Sequence, residues 1–255
     1  MGKLNALKQL CLSVGLYRAA RILYRQWLNQ AELEEFRQDV ALYSELVEAG
    51  SLCFDVGANI GKKTEALLEA GAKVVAFEPQ PSCMKELEAR CSPYRSRLCK
   101  YQRAVGAEPG EATLYVHDIR SHSSLEQDWG GGSKALASIR VPVITLDQAI
   151  AQVGQPEYCK IDVEGWEHEV LKGLTQPIPL LSFEYHLQRR SIDKTLACLD
   201  YLSRFGELRI NVTSGKISLF AFQEWLCLEK FLSLFPDTFF SRKQYNYGDI
   251  FVRIC

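Results

Sequence analysis

The sequence predicts a doubly wound α/β domain built on a mostly parallel sheet. From about residue 50 onward, short apolar segments alternate with segments of helical periodicity. Polar or acidic residues follow four of the apolar segments, and the carboxyl ends of parallel strands meet at one edge of a sheet. Strands that alternate with helices in this way favour crossover connections, with helices on both faces of the sheet.

Composition and charge exclude several other classes of protein. The chain has 255 residues and a formal net charge of −1, so it has no basic field that would attract nucleic acid or an anionic membrane. Its nine cysteines are scattered without CxxC or zinc-type spacing, which favours reduced thiols. No apolar stretch reaches the roughly 18 residues of a membrane span, and no secretory signal is recognisable. We therefore predict a cytoplasmic protein without a transmembrane segment or nucleic-acid partner; its oligomeric state, a homo-oligomer included, stays open.

Residues 1–48 predict two or three helices ahead of a main domain that spans residues 49–255. Apolar side chains recur at helical spacing from Leu33 to Val47, and the segment before them is basic with interspersed aromatic residues. We interpret the N-terminal segment as a helical flap that packs on the main domain and exposes a solvated basic face. Contact with a membrane surface is the alternative.

The first strand, loop and helix of the main domain carry its most informative motif. The apolar stretch 52–56 is followed by a glycine-bearing loop at 57–61, and residues 62–70 continue as a helix that ends at Gly71. A second strand, 73–77, is followed by Glu78. This is the layout of a nucleotide-binding βαβ unit, in which glycines permit close approach of a ligand and the acid accepts hydrogen bonds from ribose hydroxyls.

The loop departs from the fingerprint of dinucleotide-binding proteins. From Asp55 to Gly61 it reads D-x-G-x-N-x-G in place of G-x-G-x-x-G. One ribose and a cationic amino-acid tail suit this loop better than a pyrophosphate does, and S-adenosylmethionine (SAM) has those parts. The missing glycine disfavours a nicotinamide oxidoreductase. A glycine-bearing turn in an unrelated α/β protein is the other interpretation, which the joint presence of Asp55 and Glu78 disfavours.

The rest of the chain continues the alternation of strands and helices. We predict helices over residues 81–90, 146–153, 166–173 and 195–205, and strands over 99–105, 112–117, 141–144, 158–165, 180–186, 207–212 and 249–254. Residues 118–138 are polar and rich in glycine, and we interpret them as a lid loop. The aromatic-rich stretch 220–240 predicts a helical insertion.

Acids and a histidine that follow two later strands are the candidates for chemistry. Asp162 and Glu164 share one face if their strand continues that far, and such a pair can take a proton from a hydroxyl, bind a divalent cation or hydrogen-bond an amino group. Capping of the following helix is the structural alternative for both acids. His186, two residues after Glu184, is either a general base or a hydrogen-bonded structural histidine.

Five motifs, taken together, resemble the FkbM family of SAM-dependent methyltransferases. They are FDVGANIG at 54–61, AFEP at 76–79, SSL at 123–125, TLD at 145–147 and KIDVEGWE at 160–167, within about residues 50–187. The resemblance implies a seven-stranded, Rossmann-like class I methyltransferase sheet whose last strand, 249–254, is antiparallel. It also implies methyl transfer to a hydroxyl, in a family whose substrates include sugars and polyketides.

The same resemblance implies a role for each motif. The loop after the first strand would hold the methionine end of SAM, the acid after the second strand the ribose, the third strand the adenine, and the acid-rich segment would face the reacting centre. The residues implied are Asp55, Gly57, Asn59 and Gly61 for the methionine end, Glu78 for the ribose, Ala104 and Val105 for the adenine, and Asp162 and Glu164 for the reacting centre. The chain departs from the family pattern at Lys62 and Lys63, where an apolar or aromatic residue is more usual, and in the aromatic stretch 220–240.

We therefore predict a SAM-dependent O-methyltransferase that acts on a small hydroxylated molecule. Asp162, Glu164 or His186 would remove the proton, and a bound Mg²⁺ is an addition for which the sequence gives no support. Methylation of nitrogen or carbon on the same scaffold is the alternative, although the chain lacks an Asn/Asp-Pro-Pro-Tyr/Phe segment. The hypothesis from a different class of function is a SAM-binding module without catalysis, which would act through its N-terminal helices and aromatic insertion. The identity of the acceptor stays open.

Overall fold

The structure, a computed structural model, describes residues 30–116, 124–125, 136–215, 217–236 and 246–255. Most of the predicted lid loop 118–138 lies outside the described residues, as do the first part of the N-terminal segment and residues 237–240 of the predicted insertion. Within the described ranges, no helix is both long enough and apolar enough to cross a bilayer.

Helices and strands alternate along the chain as the sequence predicts. The helices are α1 (Gln30–Leu46), α2 (Lys62–Glu69), α3 (Pro81–Arg90), α4 (Leu146–Val153), α5 (Glu167–Lys172), α6 (Arg189–Ser203) and α7 (Leu228–Leu232). The strands are β1 (Leu52–Val56), β2 (Lys73–Phe77), β3 (Leu98–Tyr101), β4 (Ala104–Val105), β5 (Gly110–Val116), β6 (Ala137–Ile144), β7 (Tyr158–Ile161), β8 (Leu180–His186), β9 (Leu208–Val212), β10 (Leu226–Cys227) and β11 (Tyr247–Ile254).

The main sheet is mostly parallel and contains the last strand in antiparallel orientation. Its order is β10-β9-β11-β8-β7-β1-β2-β3. Strands β3, β2, β1, β7 and β8 pair in parallel, and β11 lies antiparallel between β8 and β9. This confirms the predicted doubly wound, Rossmann-like architecture. The two-residue β10 adds an eighth strand at the edge, where it pairs antiparallel with β9.

A second sheet, of order β4-β6-β5, corrects one predicted strand. The expectation of a single strand over residues 99–105 is wrong, because the chain leaves the main sheet after Tyr101. The Tyr101 carbonyl accepts a hydrogen bond from the Glu78 amide at 3.1 Å, and the next strand, β4, pairs in parallel with β6. This exchange of partners carries Ala104 and Val105 away from β2 and into the small sheet.

The central strands are buried on both faces, as expected for parallel strands covered by helices. Phe54, Phe77 and Phe183 are no more than 1% exposed and belong to one apolar cluster, in which the rings of Phe54 and Phe77 pack edge to face at 5.4 Å. A second cluster lies where α1 and α2 cover the sheet, and it includes Tyr43 and Tyr158, whose ring centroids are 5.8 Å apart. The described part of the N-terminal segment therefore packs on the main domain through a buried face.

The predicted helical insertion at 220–240 is helical over Leu228–Leu232 alone among the residues that the structure describes there. Two aromatic side chains ahead of this helix pack on the sheet: the ring centroids of Phe220 and Phe251 are 5.2 Å apart, and the guanidinium of Arg253 lies 4.1 Å from the centre of the Trp225 ring. The aromatic residues at the start of this stretch therefore reflect contacts with β11 and not helical periodicity.

Candidate active site

A cleft lies over the carboxyl ends of the central parallel strands, where open α/β sheets bind ligands. Its volume is about 770 Å³, including the open space at its mouth. This main cleft is lined by residues that follow β1, β2 and β7, together with β4 and parts of β5 and the 124–125 segment. They are Val56, Gly57, Asn59, Phe77, Glu78, Pro79, Gln80, Cys83, Arg103, Ala104, Val105, Leu114, Ser124, Leu125, Asp162, Val163, Glu164 and Trp166.

Most of the residues singled out from the sequence meet at the main cleft. The lining includes Gly57, Asn59, Glu78, Ala104, Val105, Asp162 and Glu164, whereas Asp55, Gly61 and His186 do not line it. Gln80, Cys83, Arg103 and Trp166 line it as well and were not predicted. The sequence feature that could have identified them is their position in or close to the AFEP motif, the third strand and the acid-rich segment.

Gly57 lets the loop after β1 pass against the end of β7. Its φ is +82°, and a Cβ at this position would lie 1.8 Å from the carbonyl oxygen of Asp162. The Asp162 amide in turn donates to the Val56 carbonyl at 2.9 Å. The loop and the acid-rich segment are thus in backbone contact. Gly61 has a φ of +79° and begins α2, where a Cβ would come within 2.8 Å of the Leu87 side chain.

Glu78 is buried at the base of the main cleft and receives two backbone hydrogen bonds. Oε2 accepts from the Asn59 amide at 2.8 Å and Oε1 accepts from the Gln80 amide at 2.7 Å. Burial raises the pKa of Glu78 to about 7, although both amides lower it. In the ionised form each carboxylate oxygen has a second acceptor position, so the group can also accept two donors from a ligand.

Asn59 presents a buried acceptor to the same cleft. Its backbone is left-handed, with a φ of +49°, which is uncommon for a residue with a side chain. Its Oδ1 is buried and has no hydrogen-bond partner among the residues that the structure describes. Buried polar atoms are normally paired, so this oxygen suits a donor group on a ligand.

Asp55 lies beneath the main cleft and not in its wall. Its carboxylate is 1% exposed and accepts a hydrogen bond from the Thr64 hydroxyl at 2.5 Å. Burial raises the pKa of Asp55, while the charge of Lys160 and the Thr64 hydrogen bond partly offset that rise. Direct contact between this side chain and a cofactor stays a prediction, which this placement does not support.

A buried lysine pairs with the first acid of the KIDVEGWE segment. Lys160 is 2% exposed, and its Nζ lies 2.7 Å from Oδ2 of Asp162. Burial lowers the pKa of Lys160, but the charges of Asp162, Asp249 and Asp55 more than offset this and hold the pKa well above its usual value. The ammonium group therefore stays charged inside the protein.

Three carboxylates converge at the rim of the main cleft. Oxygens of Asp162, Glu164 and Glu184 lie within 4.8 Å of one another. Burial raises the pKa of Glu184, and the charge of Asp162 raises it further. An acidic cluster does not by itself define a metal site, and one of these acids already pairs with Lys160. We assign no metal ligand, so a requirement for Mg²⁺ is not part of the site described.

Glu167 holds the acid-rich turn in place. Its Oε1 accepts hydrogen bonds from the amides of Val163 at 3.2 Å and Gly165 at 3.1 Å. From outside the turn, the Ser124 hydroxyl donates to the Glu164 carbonyl at 2.8 Å, and the Lys194 ammonium donates to the Gly165 carbonyl at 2.9 Å. Glu164 itself has a left-handed φ of +55°, so these contacts stabilise a backbone conformation that costs free energy.

His186 lies in a smaller side pocket next to the acid cluster. The side pocket is lined by Gly165, Glu167, Phe183, Glu184, His186, Ser191, Lys194, Thr195 and Cys198. Nε2 of His186 is 3.1 Å from Oε2 of Glu184, and its ring stacks on Tyr247 with centroids 6.0 Å apart. Burial lowers the pKa of His186, but Glu184 and the neighbouring acids more than offset this and raise it overall.

The mostly parallel sheet with its antiparallel last strand, and the cleft above its carboxyl edge, define the class of the protein as a Rossmann-like α/β protein with a ligand cleft. The comparison with solved structures matches fibrillarin from Aeropyrum pernix with bound SAM, at 10% identity and a TM-score of 0.45 over 86% of this chain and 75% of that one. An O-methyltransferase from Bacillus cereus in complex with SAH has 11% identity and a TM-score of 0.43 over 96% and 90% of the two chains.

The family follows from the sequence comparison. The model of the methyltransferase FkbM domain matches residues 55–210, which is more than half of the chain, and the protein belongs to this family. A hexuronic acid methyltransferase from Haloferax volcanii is 28% identical over 149 residues. That alignment spans 57% of this chain and 59% of the relative, so it leaves a large part of both proteins unmatched.

We predict that Gly57→Ala destabilises the protein far more than Gly50→Ala does. Both glycines have a positive φ, but a Cβ at Gly57 meets the Asp162 carbonyl, whereas a Cβ at Gly50 has no heavy atom within 4 Å. The control variant should therefore cost about 1 kcal/mol for its left-handed backbone, and Gly57→Ala at least about 3 kcal/mol. Denaturant unfolding measures both values, and equal losses would contradict the close contact.

We also predict that Glu167 makes stability fall as pH rises. Burial raises the pKa of Glu167 to about 7, above the 4.5 that it has when unfolded. The folded state thus keeps the proton up to a higher pH than the unfolded state does. The contribution of Glu167 to the free energy of unfolding is fully present below pH 4.5 and is lost as pH rises through 7, a loss of up to about 3 kcal/mol. In Glu167→Gln, which keeps the acceptor oxygen, this slope should shrink. Unfolding measured from pH 5 to 8 checks the slope, and Glu169→Gln, at a partly exposed position on the same helix, serves as control.

Proposed function

We propose that the protein is a SAM-dependent O-methyltransferase that acts on a hydroxyl of a small metabolite, with sugar acids as the first class of acceptor to test. The observation that carries this proposal is the main cleft, where the glycine loop, buried Glu78 and the acid-rich turn meet at one edge of the sheet. Membership of the FkbM family supports methyl transfer, and the hexuronic acid methyltransferase relative supports a sugar acid as acceptor.

The residues of the main cleft fit the parts of SAM. Glu78 has the capacity to accept hydrogen bonds from both ribose hydroxyls, in addition to those from its two backbone donors. The unpaired oxygen of Asn59 suits the ammonium of the methionine end, and Gly57 keeps the loop free of side-chain bulk beside it. Val105, together with Ala104, lines the cleft with apolar surface suited to the adenine.

When bound, SAM supplies a sulfonium methyl group that a nucleophilic oxygen can take. The contribution of the chain is to position the acceptor hydroxyl and to remove its proton, because methylation of a hydroxyl releases one proton. Asp162 and Glu164 line the main cleft, and His186 lies beyond them in the side pocket. We propose these three residues as the groups that orient the acceptor or take its proton.

Methylation at nitrogen or carbon, and SAM binding without catalysis, are the competing functions. The convergence of Asp162, Glu164 and Glu184 favours oxygen, because carboxylates accept hydrogen bonds from sugar hydroxyls and a base is needed to activate a hydroxyl. An amine acceptor would find the same acids, so only the products of the reaction separate these functions.

We predict that the folded protein binds SAM and S-adenosylhomocysteine, and that Glu78→Gln weakens both by about tenfold to a hundredfold. The variant replaces a carboxylate with an amide and thus loses part of its capacity to accept the ribose hydroxyls, at about 1–3 kcal/mol. Calorimetry measures the affinities. Glu88→Gln, on the neighbouring helix α3, is the control, because Glu88 is exposed and pairs with Lys100. Binding of NAD without binding of SAM would contradict the proposal.

Binding of SAM should also release a proton below pH 7. The pKa of Glu78 is raised to about 7, and only its ionised form can accept from two amides and two hydroxyls at once. Near pH 6, binding of SAM should therefore release about one proton per molecule bound, and at pH 8.5 it should release almost none. Calorimetry in buffers of different ionisation enthalpy measures this number. An equal proton count for wild type and Glu78→Gln would exclude Glu78 as the titrating group.

Labelled methyl transfer to a panel of acceptors tests the rest of the proposal. We expect label from SAM to appear on hexuronic acids such as glucuronic and galacturonic acid, and to be found as a base-stable ether at a ring hydroxyl. The neutral hexoses lack the carboxylate and so separate methylation of a hydroxyl from methylation of the carboxylate, and the methyl glycosides of the hexuronic acids exclude the anomeric hydroxyl as the acceptor. Label on nitrogen or carbon would support the alternative methyltransferases, and SAM binding without transfer to any hydroxylated acceptor would favour a binding module.

A further inference from the structure

We infer that Glu184 and His186 act as a pair in which Glu184 positions His186 as the general base for the acceptor hydroxyl, with Asp162 excluded from that role by its ion pair with Lys160. This inference rests on the proposed function and assigns the proton to one of its three candidate residues. It also gives Glu184 a positioning role, which the sequence analysis did not assign to it.

Strand β8 brings the two side chains together. Glu184 and His186 are two residues apart on the strand, so both stand on the same face near its carboxyl end. Nε2 of His186 lies 3.1 Å from Oε2 of Glu184. That oxygen has no well-aligned hydrogen bond among the described residues, so a small rotation of the imidazole completes the pair, as in many ligand-free sites.

The histidine ring is held on a second side by β11. Tyr247 stacks on it with 20° between the ring planes, and Tyr247 is paired with His186 across the two strands. With Nε2 directed at Glu184, the other ring nitrogen, Nδ1, is the one that takes a proton. A carboxylate that orients an imidazole also stabilises the imidazolium that forms during catalysis.

The location of the pair links the side pocket to the main cleft. The Glu184 carboxylate lies within 4.8 Å of oxygens of Asp162 and Glu164, which line the main cleft. An acceptor that reaches from the main cleft toward the side pocket would therefore pass from these acids to His186. The three acids are placed to bind its other hydroxyls as hydrogen-bond acceptors.

Asp162 is a poor choice as base because of Lys160. Its Oδ2 is 2.7 Å from the Lys160 ammonium, which is buried and stays charged. A proton on Asp162 would leave that ammonium without its nearest carboxylate, and unpaired buried charges are costly. His186 takes up a proton without breaking an ion pair of this kind.

The groups around His186 favour its charged form. Glu184 on the same strand, Glu167 on α5 and Asp162 after β7 all add negative charge beside it, while Tyr247 covers one ring face and Lys194 on α6 lines the same side pocket. Burial works in the opposite direction. The acids outweigh burial, so the pKa of His186 is raised above its usual 6.5 and depends on Glu184.

The proton balance of the step is complete. The acceptor hydroxyl gives its proton to Nδ1 of His186, and the oxygen lone pair forms the bond to the methyl carbon of the sulfonium donor. The carbon–sulfur bond breaks as the new bond forms, and its electron pair stays on sulfur, which leaves a neutral thioether. The imidazolium pairs with Glu184 and later releases its proton to solvent.

Four variants test the inference with the acceptor that the panel above identifies. We expect His186→Asn to lower kcat by about 100-fold or more, the usual contribution of a general base, with the KM values for SAM and acceptor nearly unchanged. Glu184→Gln should lower kcat by about tenfold and move the acidic limb of the pH profile to lower pH, because the limb belongs to the pair. His168→Asn and Glu169→Gln, on α5, are matched controls that should retain wild-type kcat.

An NMR titration of the ligand-free protein keeps the test independent of activity. The chain has four histidines, so His186→Asn assigns the signal of His186. We expect His186 to titrate above its usual value in wild type, with its proton on Nε2, and at lower pH in Glu184→Gln. The inference is overturned if His186→Asn keeps wild-type kcat, or if Glu184→Gln leaves both the pH limb and the titration unchanged. Absence of SAM binding in wild type would instead reject the proposed function.

Discussion

The buried ammonium of Lys160 is the constraint around which the edge of the sheet that carries the main cleft is arranged. An isolated buried charge is costly, and removing one partner of such a pair typically costs about 3–5 kcal/mol. Asp162 lies in direct contact with the ammonium, and Asp55 and Asp249 contribute further negative charge. Asp55 and Lys160 are register partners on β1 and β7, so the pairing of these two strands itself brings their charges together.

This charge arrangement explains why the two acids of the FDVG and KIDVEG motifs have different environments. Asp55 is turned into the protein, where Thr64 donates to it, and it serves to neutralise Lys160. Asp162 pairs with the same ammonium but remains partly exposed at the rim of the main cleft. Lys160 therefore interacts with both acids: Asp55, which does not line the main cleft, and Asp162, which is held in place at its rim.

The sequence predicted those parts of the site whose position follows from the strand order alone. Glu78, Gly57 and Asn59 lie at strand ends, and parallel pairing brings strand ends to one edge whatever the side chains are. Asp55 could not be placed in this way, because it lies inside β1, one residue before its end, and its burial against Thr64 and the charge of Lys160 involves residues outside the motif. His186 was found as a candidate, but its place in the side pocket, stacked on Tyr247 of β11, depends on contacts that are distant in sequence.

The same distinction applies to the fold. The buried central strands and the capped helix α4 were predictable because their signals are local: Thr145 and Gln148 form a capping box, and the apolar runs are continuous. The split between β3 and β4, and the irregular path around Phe220 and Trp225, were not. In both cases the conformation is set by a partner far along the chain, β6 in one and β11 in the other.

The contact between Gly57 and Asp162 joins the two halves of the site mechanically. The glycine loop carries Asn59, whose amide binds Glu78, and the acid-rich turn carries Glu164 two residues beyond Asp162. Since the Asp162 carbonyl leaves no room for a Cβ on residue 57, neither segment can shift toward the other without a backbone clash. A ligand that orders the loop therefore also restricts the turn, and the hydrogen bonds of Glu167 oppose any movement away. The acids that we propose to face the acceptor are thus held in a fixed position relative to the groups that we propose to bind SAM, as transfer between two bound molecules requires.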